Sequence, residues 1–116
     1  MATVWETAQT ALSTLGLPIG AGAYLPDTPG GDLPDTYLVH SVVDVSPVQH
    51  ADNAEQIRGW LVQVSIYRRA GLVGLPDVIG AMTAAGFTFV AGRELDYDIE
   101  SRHFGIAFDF ELTEDL

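Results

Sequence analysis

The chain has 116 residues, 47% of them hydrophobic, which accommodates one domain (1–116) around a modest core. Its 16 acidic residues face only 5 basic ones, and the formal net charge of −11 disfavours binding to phosphate backbones and to anionic membrane surfaces alike. With no cysteine, disulfides, thiolate metal sites and cysteine nucleophiles are excluded together.

The first element starts at Thr3, which forms a capping-box pattern with Glu6. Val4, Ala8, Ala11, Leu12 and Leu15 follow on one face at helical spacing, and Gly16 with Pro18 supplies the stop. A helix is expected over about 3–15. Residues 17–25 (LPIGAGAYL) predict one short strand ending near Tyr24. Residues 26–36 (PDTPGGDLPDT) are a loop, because proline fixes φ and glycine permits positive φ.

Two strands come next. Residues 37–46 are partly apolar on both alternating faces, which suits a strand inside a sheet or at a subunit contact. The polar stretch 47–53 precedes a long strand over about 55–68, with Trp60, Val62, Val64 and Ile66 on one face. A second helix is expected over about 73–85, with Pro76 in its first turn, Leu75, Val78, Ile79, Met82 and Ala85 inward, and Gly86 at its end. An irregular strand follows from Phe87 to Ile99, with Gly92 as a bulge or bend. The last strand places Phe104, Ile106, Phe108, Phe110 and Leu112 inward and His103, Gly105, Ala107, Asp109 and Glu111 outward.

The expected fold class is therefore α+β, in the order α-β-β-β-α-β-β. It is a mostly antiparallel sheet of four to five strands with two helices packed on one face. No positively charged start precedes an apolar run, so no signal peptide is expected, and no apolar run approaches the roughly 20 residues of a membrane span.

Three local features resemble the phage tail terminator proteins, also called tail-completion or tail-to-head joining proteins. They are the proline-bearing loop Leu33-Pro34-Asp35-Thr36 leading into Tyr37-Leu38-Val39, the long strand Arg58 to Tyr67 feeding a helix, and the C-terminal hairpin Glu94–Glu100 and His103–Leu112. Absence of lysine and the long loop 26–36 depart from the family pattern. The resemblance implies a virion protein assembled in the host cytoplasm, a ring of six subunits at the head-proximal end of the tail. Its partners would be copies of itself, the tail tube protein and the head connector protein. DNA would pass through without specific binding, and the chain would be no enzyme.

Among candidate sites, Glu94, Asp96, Asp98 and Glu100 alternate along one strand and so predict a common acidic face, toward solvent or a ring lumen. As paired carboxylates they would suit acid–base chemistry or a hard cation, but a strand with Leu95, Tyr97 and Ile99 inward needs polar residues outward in any case. Pro47, Gln49, His50, Asp52 and Asn53 form either a plain connection or the tip of a hairpin arm reaching a neighbour. Arg58, Arg68 and Arg69 are scarce cations that would pair with a neighbouring subunit's carboxylates, or simply be solvated. Strand 37–46 would supply apolar contact between subunits. His40, His50 and His103 lack metal spacing and read as surface or partly buried structure. No catalytic residue, metal ligand or cofactor site is expected. The other readings are a different phage ring component (head-completion adaptor or tail tube subunit) and a small-molecule-binding α+β domain.

Overall fold

A computed structural model describes residues 3–26, 31–51 and 54–115, with 48–51 and 54–56 as backbone. The first helix, α1, spans Val4–Ser13. Its capping box is formed as expected: the Thr3 hydroxyl accepts from the Glu6 amide at 3.2 Å, and the Glu6 carboxylate accepts from the Thr3 amide at 3.2 Å. Val4, Ala8, Ala11 and Leu12 turn inward.

The short strand β1 covers Ile19–Ala21 and pairs in parallel with the start of β2, Thr36–Ala51. It ends in a tight turn, where a Cβ on Gly20 would collide with the carbonyl of Ala23, so only glycine fits. Strand β3, Ala54–Arg68, returns antiparallel to β2. The remaining elements are α2 (Val78–Ala84), β4 (Thr88–Asp98) and β5 (His103–Asp115). The described residues form a five-stranded sheet, ordered β1-β2-β3-β5-β4, in which every pairing except β1 with β2 is antiparallel. The chain is an α+β protein with the expected element order.

Both helices lie on one face of the sheet. Cross-strand rows Leu38–Ile66–Ile106, Val64–Phe108 and Val62–Phe110 point the same way and meet Leu12, Val78 and Met82 in the core. Burying a side chain the size of Phe110 stabilises the fold by about 1.5–3 kcal/mol.

The opposite face has a smaller cluster of its own. The Tyr37 and Tyr67 rings stack at 4.9 Å, Tyr24 packs on Tyr37 at 5.2 Å, and His103 meets Tyr37 edge-on at 5.1 Å. His103, Gly105 and Ala107, expected outward toward solvent, are therefore buried. Gly105 sits under the Tyr67 ring, where a Cβ would lie 3.1 Å from two ring carbons and 3.2 Å from Leu95.

Three further expectations are corrected. Helix α2 starts at Val78, because Asp77 is the N-cap and accepts from the Gly80 amide at 2.9 Å; Pro76 lies outside the helix, and Gly71 and Gly74 take positive φ in the loop before it. Residues 47–51 are strand, continuing β2 as a ribbon with β3. The outer strand β4 carries pairing irregularities between Phe89 and Ala91 and between Leu95 and Asp98, while Gly92 leaves room for Phe108, 3.0 Å from an added Cβ.

Candidate functional site

The most distinctive region is the far half of the β2–β3 ribbon. Strand β1 pairs with β2 only from Leu38 to His40, so from Ser41 to Ala51 that side of β2 is unpaired within the described chain. Beyond Ile57, which pairs with Asp115, the ribbon has two strands among the described residues. The molecule is correspondingly long, 52 × 29 × 25 Å.

Pro47 is exposed on this ribbon, opposite Arg58. The backbones of Gln49 and His50 pair with Ile57 and Glu55. Asp52 and Asn53 lie outside the described residues. Pro47, Gln49 and His50 thus share one two-stranded arm. Arg58 lies over the Trp60 ring at 6.0 Å from its centroid, Trp5 meets Trp60 edge-on at 5.6 Å, and the Trp60 indole donates to Glu114 at 3.4 Å. Trp5 remains 45% exposed. Sequence periodicity missed this tryptophan pair, since it joins the first helix to the middle of the third strand.

Strand 37–46 contributes less open surface than expected. Tyr37, Leu38 and His40 are buried inside the protomer, and the exposed apolar side chains are Val43 and Val45. A bulge between Val42 and Asp44 shifts the alternation, so that Val45 opposes Trp60 on the helix side of the sheet.

Arg68 and Arg69 are engaged within the chain. Arg68 donates to the carbonyls of Val73 and Gly74 at 2.9 and 3.1 Å and holds the loop before α2. Arg69 donates to Ser101 O at 2.9 Å, to Asp35 at 2.9 Å and to Asp32 at 2.8 Å, clamping the loop after residue 30 to the β4–β5 turn. Its hydrogen bond and charge hold the Asp32 carboxyl below the ordinary carboxylate value, and the two aspartates raise Arg69 in return. Both arginines thus make contacts within their own chain, beside the two readings weighed for them, a neighbouring subunit's carboxylates or plain solvation.

The acidic series does not form one face. Glu94 opposes Ile106 on the helix side, whereas Asp98 opposes His103 on the other side, because the irregularity between Leu95 and Asp98 shifts the alternation. Glu100 is in the turn beyond β4. Asp98 accepts from the Glu100 and Ser101 amides at 3.0 and 3.3 Å, and those backbone bonds, Ser101's foremost, hold its carboxyl low. Glu94, Asp96, Asp98 and Glu100 are all exposed, as are Tyr97 and Ile99, which were expected inward.

Two of the histidines expected as surface or partly buried structure, His40 and His103, are buried. His40 donates through Nε2 to the Gln9 side-chain oxygen at 2.7 Å, and burial pushes its pKa below the ordinary value. His103 donates through Nε2 to the Pro34 carbonyl at 2.8 Å, while its buried Nδ1 has no hydrogen-bond partner among the described residues. His40 floors a groove of about 330 Å³ with Trp5, Glu6, Gln9, Thr10 and Ala21. A second hollow of about 210 Å³ is lined by Asp44, Ser46, Gly59, Trp60, Leu61 and Glu111. Among the described residues, no three His, Asp or Glu side chains gather as a metal site, and no helix is long and apolar enough to cross a membrane.

The surface offers aromatic pairs at Trp5–Trp60 and Tyr97–Phe104, a ribbon unpaired along one side within the described chain, and carboxylates spread over both faces. No protein-family model matches the chain, and no curated protein sequence matches it.

Proposed function

We propose that the chain is a structural, non-enzymatic subunit of a phage tail, forming a ring (of six copies) at the head-proximal end that terminates the tube and joins it to the head connector. The observation that carries this reading is the β2–β3 ribbon, an arm extending beyond the helix-covered core with one side unpaired and Trp5 and Trp60 at its base. Aromatic residues partly open to solvent beside an arginine are the composition of interface hot spots. The net charge of −11 per copy supports a channel that lets DNA slide, since protein–phosphate affinity comes from cation contacts.

The mechanism is a capping equilibrium. The ring binds the last tube ring and presents a face that no further tube subunit fits. Its partners are copies of itself, the tube protein and the connector, and its place is the virion. Removing the gene should give tails of uncontrolled length, or tails without heads, in electron micrographs. Normal-length tails joined to heads in its absence would refute the proposal. Mixing the pure protein with tails and with filled heads separates a terminator, which prefers tail ends, from a head-completion adaptor.

A further inference from the structure

The two ends of the sheet present complementary shapes. At one end the β4–β5 turn projects Ile99, 81% exposed, and Arg102. Arg102 is the one non-glycine with positive φ among the described residues, at 63°, a conformation that persists in a side-chain-bearing residue only when something outweighs its cost. It forms no ion pair within 4 Å among the described residues, and its longer-range attraction is to Asp32.

Toward the other end, on the face away from the helices, lies the hollow lined by Asp44, Ser46, Gly59, Trp60, Leu61 and Glu111. The register puts Asp44 beside Leu61, and Leu61 beside Glu111, so an apolar floor separates two carboxylates. Both carboxylates are exposed and form no ion pair among the described residues. Ile99 and the Arg102 cation match the apolar floor and its two anions, while of the turn's own carboxylates Asp98 is held by the Glu100 and Ser101 amides and Glu100 stands open. From His103 to Glu111 along β5 is about 27 Å, so a turn cannot reach its own hollow.

We propose that the β4–β5 turn of one copy seats in the Asp44–Glu111 hollow of the next, with Ile99 over Gly59 and Leu61 and the Arg102 guanidinium between the carboxylates. Such a contact joins two different surfaces, so it propagates head to tail and closes into a ring when the rotation between copies permits. It rests on the ring reading above and names the surfaces that would make the ring. It also accounts for the use of an arginine where glycine would be free of strain. Glu100, beside Arg102 in the turn, opposes the contact, and Glu100→Gln should strengthen it.

The test uses the full chain, whose lack of cysteine makes engineered thiols unambiguous. A chain carrying both Ser46→Cys and Glu100→Cys cannot bridge internally, because the two positions lie at opposite ends of the strands and a disulfide needs Cα atoms within about 7 Å. Under mild oxidation it should give a ladder of dimers, trimers and larger products, and each single-cysteine chain should give dimers at most. Adding Arg102→Glu should cut the ladder at least about tenfold, and adding Asp44→Arg to that chain should restore it in part. A ring seen by light scattering for the unmodified protein, without the ladder, would overturn this docking and leave the ring standing. A ladder indifferent to Arg102→Glu would overturn the charge pairing, and a monomer at every concentration with no ladder would overturn both.

Discussion

Replacing Gly105 with alanine should destabilise the protein, against the ordinary trend. In a strand interior glycine is the weaker residue, and alanine there is usually worth about 0.5–1 kcal/mol in its favour. Here the new methyl would sit 3.1 Å from Tyr67 Cδ1 and Cε1 and 3.2 Å from Leu95 Cδ1. Leu95 ends in a flexible branch that can rotate aside. The Tyr67 ring has less freedom, because it stacks on Tyr37 at 4.9 Å, and Tyr37 in turn abuts His103 and Tyr24. Overpacking of this kind costs about 1–3 kcal/mol, which outweighs the propensity gain and leaves a net loss of roughly 1–2 kcal/mol. The assay is urea unfolding of the purified chain, with the midpoint shifted and the slope unchanged. The decisive comparison is the same substitution in a Tyr67→Ala background, where the ring is gone and Gly105→Ala should stabilise by about 0.5 kcal/mol or more. A stabilising Gly105→Ala in the natural background, or an equal loss in both, would refute the claim that Tyr67 is what requires glycine.

Two further outcomes are expected. His40 is held neutral by burial, with its folded pKa below the ordinary 6.5, so the unfolded chain binds the extra proton first and stability should fall as pH drops below about 6.5; the slope over that window should flatten in His40→Gln, and an unchanged slope would argue against it. Asp77→Ala should cost about 0.5–2 kcal/mol by removing the α2 cap, measurable as a lower denaturation midpoint, while Asp77→Asn or Asp77→Ser retains most of the stability.

Elements with complete local signals were legible in the sequence. Helix α1 carries its capping box and its apolar stripe within ten residues, and β5 alternates without interruption up to Leu112, so both elements form where the pattern puts them, although in β5 Phe104 is exposed and His103, Gly105 and Ala107 are buried. The start of α2 was ambiguous because Pro76 suits a first turn and Asp77 suits a cap, and only the bond to Gly80 decides between them. Residues 47–53 leave a plain connection and a hairpin tip both open in the sequence, because a two-stranded ribbon needs no buried face and therefore no apolar alternation. The acidic series was misjudged for the opposite reason: perfect alternation in sequence means one face only while pairing stays regular, and β4 is irregular before Asp98. The buried histidines were invisible because their partners, Gln9 and Pro34, lie 31 and 69 residues away. The arginine clamp likewise depends on Asp32, Asp35 and Ser101 converging from two loops.

The interruptions in the outer strands have a consequence for how concentrated protein behaves. A straight, apolar border strand is a template on which any other extended segment can zip, and that is how folded chains are drawn into fibres. Along β4 the straight run is cut near Val90 and again before Asp98, and Arg93, Glu94 and Asp96 stand between the cuts. On the other border, Pro47 lacks an amide to donate, and the pairing register of the ribbon shifts three times. Zipping of backbone onto backbone is therefore disfavoured along both borders, which leaves side chains as the means by which crowded copies meet.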